Sequence, residues 1–223
     1  SLRVDVGASS TDAAKALAKV GDRGTFATPF LEIGQTVRAK ALDHRLGCAT
    51  LIEIMRGEPL AVDLCAAFTV QEEVGLRGAR VASFAFDPQA AIALDCTPAN
   101  DLPAHDGEEN AVYNTRLGAG PAIYLADGRM IHHRGLVQHF GRAAEEGGIP
   151  YQLRQPGGGA GDAAALELAR AGIPALAVST PGRYLHTAAA LARVQDWQDT
   201  VRLVRAAVDG LAHAELQAHL THP

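Results

Sequence analysis

The chain has 223 residues, of which 48% are hydrophobic and 20% are charged, and its formal net charge is −5. This composition is typical of a globular protein with one good-sized core. Lysine and arginine form no cluster interleaved with aromatic residues, so we expect no nucleic-acid partner. No apolar stretch approaches the roughly 20 residues that a membrane span needs, and the first residues lack the apolar core of a signal peptide. We therefore expect a cytoplasmic protein without membrane contact.

The three cysteines, Cys48, Cys65 and Cys96, match no zinc-binding CxxC spacing. They stand in largely apolar stretches of the sequence. We interpret them as small buried hydrophobic residues in a reducing compartment.

Residues 1–38 contain short β-like pieces, "LRVDV", "GTFAT" and "QTVRA", separated by Gly, Pro and Ser. These pieces are too short to form a core of their own. From residue 39 onwards, continuous apolar runs alternate with segments whose apolar residues have helical spacing. It predicts helices at 46–57, 134–148, 161–172 and 194–216, and strands at 60–70, 90–96, 121–126, 149–155 and 173–180. The alternation predicts the α/β class, with a mixed, mostly parallel sheet sandwiched by helices.

Acidic residues and one histidine fall where the predicted elements begin or end. Glu72 and Glu73 follow the strand at 60–70, Asp95 ends the next strand, His186 follows the last strand, and Asp43 stands before a helix. Functional groups of open α/β sheets collect on loops at the carboxyl ends of strands. The sequence therefore places these side chains where a site is expected.

Carboxylate oxygens and imidazole nitrogens are the ligands of hydrolytic zinc sites. A pair of metal ions also needs a bridging carboxylate, and Asp43 at a helix start is our candidate. The backbone turns at a strand end, so the two adjacent glutamates can have different roles. Glu73 can bind metal while Glu72 acts as a general base.

Each of these residues also has a purely structural interpretation. Asp43 is a possible N-cap, the glutamate pair a solvated turn, Asp95 an Asx turn, and His186 a histidine at a helix start. Spacing alone leaves both interpretations open.

The other histidines and the glycine loop carry weaker signals. We interpret His132 and His133 as surface residues and His213, His219 and His222 as solvated. The loop "QPGGGAGDAAAL" lacks the Gly-Lys-Ser/Thr of a phosphate-binding loop and is either a pocket wall or a plain turn. No Gly-x-Ser-x-Gly elbow indicates a serine hydrolase.

Six segments resemble, in order, the M42 family of metallo-aminopeptidases, the glutamyl and tetrahedral aminopeptidase group. They are "KALDHRLGC", "TVQEEVGLRGA", "AIALDCTPAND", "GIPYQ", "GGAGDAAAL" and "GIPALAVSTPGRYLH". The resemblance runs over nearly the whole chain, and its first two segments are the most specific.

The resemblance implies a role for each matching residue and two divalent ions, zinc or cobalt, per subunit. Asp43 matches the bridging aspartate, Glu72 the general base, Glu73 and His186 the ligands of one metal, and Asp95 a ligand of the other. The implied reaction removes N-terminal residues from peptides. We assign substrate binding to Gly158, Gly159, Asp162 and Arg183.

The sequence departs from the family in one respect that bears on the metals. The family carries a further histidine ligand in an upstream His-x-Asp motif, which this sequence does not contain. We therefore expect the second site, at Asp43 and Asp95, to be weak or empty unless His44 moves in as a ligand.

The resemblance also implies a domain division. Residues 1–38 resemble the tail of a β-rich dimerisation domain, and 39–223 a catalytic domain lacking its first strands. Ser1 in place of Met fits a truncated or proteolysed chain. We expect a homo-oligomer for the full-length protein. Two alternatives are a catalytically silent remnant that binds peptide or assembles with other subunits, and a related metal-dependent deacylase.

Overall fold

The computed structural model describes residues 3–103, 105–108 and 115–212. In this part of the chain the helices are α1 Thr11–Leu17, α2 Leu42–Arg56, α3 Arg77–Phe86, α4 Arg134–Glu146, α5 Ala163–Leu166 and α6 Val194–Asp209. The strands are β1 Leu31–Ile33, β2 Thr36–Ala39, β3 Ala91–Pro98, β4 Ala122–Tyr124, β5 Gln152–Arg154, β6 Ala175–Arg183 and β7 Ala190–Arg193. A short 3₁₀ turn, Gly210–Ala212, follows α6. His213, His219 and His222 lie outside the described residues.

All the described strands belong to one sheet of order β1-β2-β7-β6-β4-β5, with β3 paired to β6. Parallel pairing is found in β3–β6 and β4–β5, and the other pairs are antiparallel. The mixed sheet is therefore confirmed, although it is less parallel than expected. Strand β7 returns directly after β6 and extends the sheet in antiparallel fashion, β1 and β2 form a hairpin, and β4 also runs antiparallel to β6.

Strand β6 separates two apolar cores, one on each face of the sheet. Leu176 and Val178 pack with α4 and α6, whereas Ala175 and Ala177 pack with residues of α3 and α5. Successive side chains of a strand point to opposite faces, which explains this division. The predicted sandwich of a sheet between helices is thus confirmed.

Helix α4 shows why these segments form core-facing helices. Leu136, Phe140 and Ala144 recur every fourth residue and are fully buried. This spacing produces one apolar stripe along a helix. The helices predicted at 46–57 and 134–148 are confirmed as α2 and α4, and α6 confirms the start of the predicted C-terminal helix.

The strand predicted at 60–70 is wrong, because these residues form no strand. Phe68 and Val70 are exposed. A strand needs a neighbouring backbone to pair with, and no described strand lies along this segment. The helix predicted at 161–172 is shortened to α5, and Arg170 beyond it has a positive φ of 53°. Helices α1 and α3 and strands β1 and β7 were not predicted.

Three expectations about burial are also wrong. Cys48 and Cys65 are exposed, and only Cys96 of the three cysteines is buried. His132 is buried rather than on the surface. Its Nδ1 atom accepts a hydrogen bond of 3.2 Å from the backbone N–H of Ala177, and its ring packs edge-on against Tyr124. This backbone contact lets the polar ring enter the core.

The hairpin β1–β2 joins the sheet through β7, with Thr36 opposite Arg193. The β-like piece expected at 24–28 forms no strand, and neither do residues 3–6, the described part of the piece expected at 2–6. The division into a domain tail at 1–38 and a catalytic domain at 39–223 stays a prediction. Within the described ranges, no helix combines the length and apolarity that a bilayer span requires.

Candidate metal centre

The five side chains singled out from the sequence line one cavity. Asp43 belongs to α2, Glu72 and Glu73 to a turn before α3, Asp95 to β3, and His186 to the turn between β6 and β7. The cavity has a volume of about 680 Å³. Residues from four distant segments therefore meet at one side of the sheet.

A close contact between α2 and β3 brings Asp43 beside Asp95. Gly47 of α2 lies so near the strand that a Cβ atom built on it would stand 2.3 Å from the carbonyl oxygen of Leu94. Only glycine permits this approach without moving the helix. The contact sets the separation between the start of α2 and the acidic residue of β3.

Three left-handed residues redirect the backbone at the site. Ala41 has a φ of 54°, Gln71 of 63° and His186 itself of 59°. Such values are uncommon for residues other than glycine and occur often at functional sites. Ala41 precedes the Asp43 segment, and Gln71 precedes the two glutamates, so the chain turns at these candidates and at His186, whereas Asp95 lies within strand β3.

Asp43 is not an N-cap of α2. The helix has Ala41 at its N-cap without a side-chain hydrogen bond, and Asp43 and His44 have non-helical backbone angles. The carboxylate instead contacts His44 and His186. His186 lies in a turn between strands and not at a helix start.

The first group of possible ligands consists of Asp43, Glu73 and His186. Asp43 Oδ2 and Glu73 Oε1 each lie 3.1 Å from His186 Nε2. The side chains of Glu73 and His186 are 65% and 68% exposed, whereas that of Asp43 is 10% exposed. This group is therefore accessible from the cavity.

The second group consists of Asp43, His44 and Asp95. His44 Nδ1 lies 2.8 Å from Asp43 Oδ1 and 2.7 Å from Asp95 Oδ1. The two carboxylates are nearly buried. Asp43 thus directs one oxygen to each group, which is the arrangement of a bridging carboxylate.

The donor set fits a divalent metal such as zinc. In each group the three ligand atoms lie within 4.8 Å of one another. Two ligands of a tetrahedral zinc ion, each at 2.0–2.2 Å from it, lie roughly 3.3–3.6 Å apart. The separations of 2.7–3.1 Å between donors are slightly shorter, so small movements would admit an ion.

Buried charge in the second group shifts two pKa values. Burial lowers the pKa of His44, but hydrogen bonds to Asp43 and Asp95 outweigh it and raise the pKa to about 11. Burial raises the pKa of Asp95, although contact with His44 acts against it. The two carboxylates therefore attract positive charge strongly.

Glu72 lies beside the second group. Its Oε2 atom is 3.9 Å from His44 Nε2, and its side chain is 17% exposed. Burial and the negative charge of Asp95 raise the pKa of Glu72 to about 7. A carboxyl group that titrates near neutral pH can both accept and return a proton. Glu72 is therefore chemically able to act as a general base.

The residues assigned to substrate binding occupy different positions. Gly158 and Gly159 line the cavity of about 680 Å³. Asp162 lines a neighbouring cavity of about 550 Å³ and accepts a hydrogen bond of 2.8 Å from the hydroxyl of Thr69. Arg183 forms an ion pair of 2.6 Å with Asp101 and does not line either cavity. Their roles stay predictions.

Two further residues of the cavity wall were not anticipated. Arg154 is 4% exposed, and its guanidinium lies 4.3 Å from the ring centroid of Tyr124. Arg154 Nε donates a hydrogen bond of 3.0 Å to Thr97 Oγ1. Both residues lie within predicted strands, where sequence pattern does not distinguish cavity wall from core.

Comparison with known proteins identifies close matches. The chain is 36% identical over 216 residues to lysyl aminopeptidase of Pyrococcus furiosus, covering 95% of this chain and 60% of that protein. An aminopeptidase structure from the archaeon Desulfurococcus kamchatkensis has a TM-score of 0.87 at 32% identity, covering 98% of this chain and 62% of that one.

A TET1 peptidase of Pyrococcus horikoshii has a TM-score of 0.76 at 32% identity, and the match covers 92% of this chain and 59% of that one. That peptidase can assemble into a tetrahedron or a large octahedral shell. The chain thus spans about three fifths of the length of these relatives. Residues 1–203 match the family model for M42 glutamyl aminopeptidase. The expected resemblance is confirmed, and the chain belongs to the M42 glutamyl aminopeptidase family.

Proposed function

We propose that the chain belongs to a metal-dependent aminopeptidase that hydrolyses N-terminal residues from peptides. One observation carries the proposal: the two oxygens of Asp43 face two separate groups of ligands, at 3.1 Å from His186 and 2.8 Å from His44. A shared carboxylate between two such groups is the arrangement of a two-metal hydrolase.

Asp43, Glu73 and His186 would hold one divalent ion, and Asp43 and Asp95 would hold the other. When bound, the ions would polarise the scissile carbonyl and lower the pKa of water. Carboxylate and imidazole ligands are compatible with zinc or cobalt. The exposed first group lies on the accessible side of the cavity, where a peptide end can enter.

Glu72 would act as the general base. It takes a proton from the attacking water and delivers it to the leaving amine, which returns the side chain to its starting state. Burial and the negative charge of Asp95 raise the pKa of Glu72 to about 7 in the metal-free chain, which favours uptake of a proton by this side chain. Gly158 and Gly159 form the wall against which the substrate backbone lies, with Asp162 and Arg183 as further candidates for substrate contacts.

We further propose that the protein is cytoplasmic and forms a homo-oligomer. The tetrahedral and octahedral assemblies of the Pyrococcus horikoshii peptidase support an oligomer. Large apolar side chains exposed on the described surface, among them Phe68, Val81 and Phe84, also support it.

The test compares free and blocked substrates. We expect the purified chain to hydrolyse amino-acid p-nitroanilides with added zinc or cobalt, to lose activity with a chelator, and to regain it when metal is returned. N-acetylated versions of the same substrates serve as the control and are expected to react slowly.

Two results would contradict the proposal. A folded, metal-loaded chain without turnover would favour a silent remnant that binds peptide or serves as an assembly subunit. Faster hydrolysis of the acetylated substrates would favour a metal-dependent deacylase.

A further inference from the structure

The imidazole of His44 lies between the two carboxylates of the second group. The nitrogen Nδ1 lies 2.8 Å from Asp43 Oδ1 and 2.7 Å from Asp95 Oδ1, so one ring atom faces both carboxylates at once. We infer that His44 is itself a ligand of the second metal, an inference that rests on the proposed function. Together Asp43, His44 and Asp95 then form a complete site within this chain.

The number of ligands favours this inference. Catalytic zinc sites usually have three protein ligands and leave one position open. Within the described residues, Asp43 and Asp95 alone would provide two. His44 raises the number to three, the same as in the group of Asp43, Glu73 and His186.

The orientation of the ring assigns its two nitrogens to different tasks. Nδ1 faces the carboxylates, whereas Nε2 faces Glu72 at 3.9 Å. A histidine that binds metal through one nitrogen commonly directs the other N–H towards a carboxylate, which fixes the ring. At 3.9 Å this contact is an ion-pair distance and not a hydrogen bond, and a small movement of either side chain would let Glu72 orient His44 while Nδ1 binds the ion.

The position of His44 in the chain keeps it in place. It follows Asp43 directly, at the start of α2, and α2 is held close to β3 by the contact of Gly47 with Leu94. The ring is 27% exposed, so it reaches the cavity without leaving the carboxylates.

A site of one nitrogen and carboxylate oxygens has a definite metal preference. Imidazole suits zinc and cobalt, whereas magnesium and calcium favour oxygen ligands alone. His44 would thus make the second site selective for zinc or cobalt over magnesium. Without the ring, the two carboxylates would resemble a weak site for hard cations.

The experiment measures metal binding in the 223-residue chain and in the variants His44→Ala and His44→Asn. Exposed His105 lies outside the residues that line the two cavities, so His105→Ala is the matched control. Bound zinc is counted by mass spectrometry after dialysis, and cobalt(II) is titrated by visible absorption, which changes when a nitrogen ligand is lost. Circular dichroism reports folding, and the asparagine variant keeps a polar side chain if alanine unfolds the protein.

We expect two equivalents of zinc in the unsubstituted chain and in His105→Ala. We expect the second equivalent to bind at least tenfold more weakly in both His44 variants, since removal of even an outer partner of a ligand costs 10–100-fold. Magnesium should compete better with cobalt in the variants than in the unsubstituted chain.

Three results would contradict the inference, and they differ in what they imply for the proposed function. Two equivalents of unchanged affinity in the variants would overturn the inference and leave the proposed function intact. One equivalent in every protein, including the unsubstituted chain, would overturn it too, because His44 would then not complete a second site. Absence of metal and of turnover in a folded unsubstituted chain would overturn the proposed function and the inference together.

Discussion

Asp43 Oδ2 lies 3.1 Å from the Nε2 atom of His186, across the gap between the start of α2 and the turn after β6. The other oxygen of the same carboxylate lies 2.8 Å from His44 Nδ1. One side chain therefore connects the exposed and the buried group of ligands. Loss of this carboxylate should affect both groups, whereas loss of any other ligand should affect one.

Replacement of Asp43 by alanine tests this connection. We expect Asp43→Ala to weaken both equivalents of bound zinc by at least tenfold, because each group loses a charged ligand. The measurement is zinc content after dialysis against increasing concentrations of chelator. Asp12→Ala, an exposed residue in the first turn of α1, is the control. Loss of only one equivalent would show that Asp43 does not bridge.

Replacement of Glu72 by glutamine tests the base. The amide keeps the size of the side chain but does not accept a proton, so we expect kcat to fall by about 10²–10⁴-fold. Zinc content should change little, since Glu72 belongs to neither group of ligands and the amide oxygen of glutamine can still accept the N–H of His44. Steady-state kinetics on an amino-acid p-nitroanilide measures the effect, with exposed Glu58→Gln as the control. An unchanged kcat would remove Glu72 from the reaction.

Gly161 controls the position of Asp95. A Cβ atom at Gly161 would stand 2.8 Å from Asp95 Oδ2, too close for an ordinary contact. We expect Gly161→Ala to push the carboxylate away and weaken the second zinc equivalent, with little effect on the first. Gly24→Ala, where a Cβ meets nothing within 4 Å, is the control. Equal weakening of both equivalents in a cobalt titration would indicate a general disturbance of the fold instead.

The ion pair between Asp101 and Arg183 should make stability depend on pH. Burial raises the pKa of Asp101, but hydrogen bonds from Arg183 and from the Leu117 backbone outweigh it and lower the pKa below its ordinary value. A lowered pKa stabilises the fold above the unfolded-state value of about 3.9, and this contribution disappears as the pH falls through the lower folded-state value.

Asp101→Asn removes this contribution. We expect its Tm to lie below that of the unsubstituted chain at pH 6, and the difference to shrink as the pH falls below about 4. Thermal unfolding followed by circular dichroism between pH 6 and pH 3 measures both curves, with Asp12→Asn as the control. A difference that stays constant over this range would show that the ion pair does not contribute through its charge.

Much of the fold could be predicted from local pattern. The spacing of Leu136, Phe140 and Ala144 defines α4 without any knowledge of its partners, and the apolar run at 173–180 defines β6. The run at 60–70 looks equally strand-like, yet it forms no strand. Local pattern reports which residues can pair, whereas a strand exists only when another backbone lies beside it.

The sequence likewise predicts which residues have the chemistry of metal ligands, but not which of them are in contact. Asp43, Glu73, Asp95 and His186 have the right chemistry at the ends of elements, and the structure brings them to one cavity. The sequence gives no measure of which oxygen faces which nitrogen. His44 shows this best: the sequence offers it only as a substitute ligand, whereas the structure places Nδ1 between two carboxylates.

The sequence by itself determined the family, the alternation of helices and strands, and the identities of the acidic residues and histidines around the cavity. Only the tertiary structure decided that Asp43 faces two groups, that His44 lies between Asp43 and Asp95, and that His132 is buried. The reason is that periodicity and residue type are local properties of the chain. The meeting of side chains depends on how closely α2 packs on β3, which Gly47 and Leu94 determine from opposite sides of the contact.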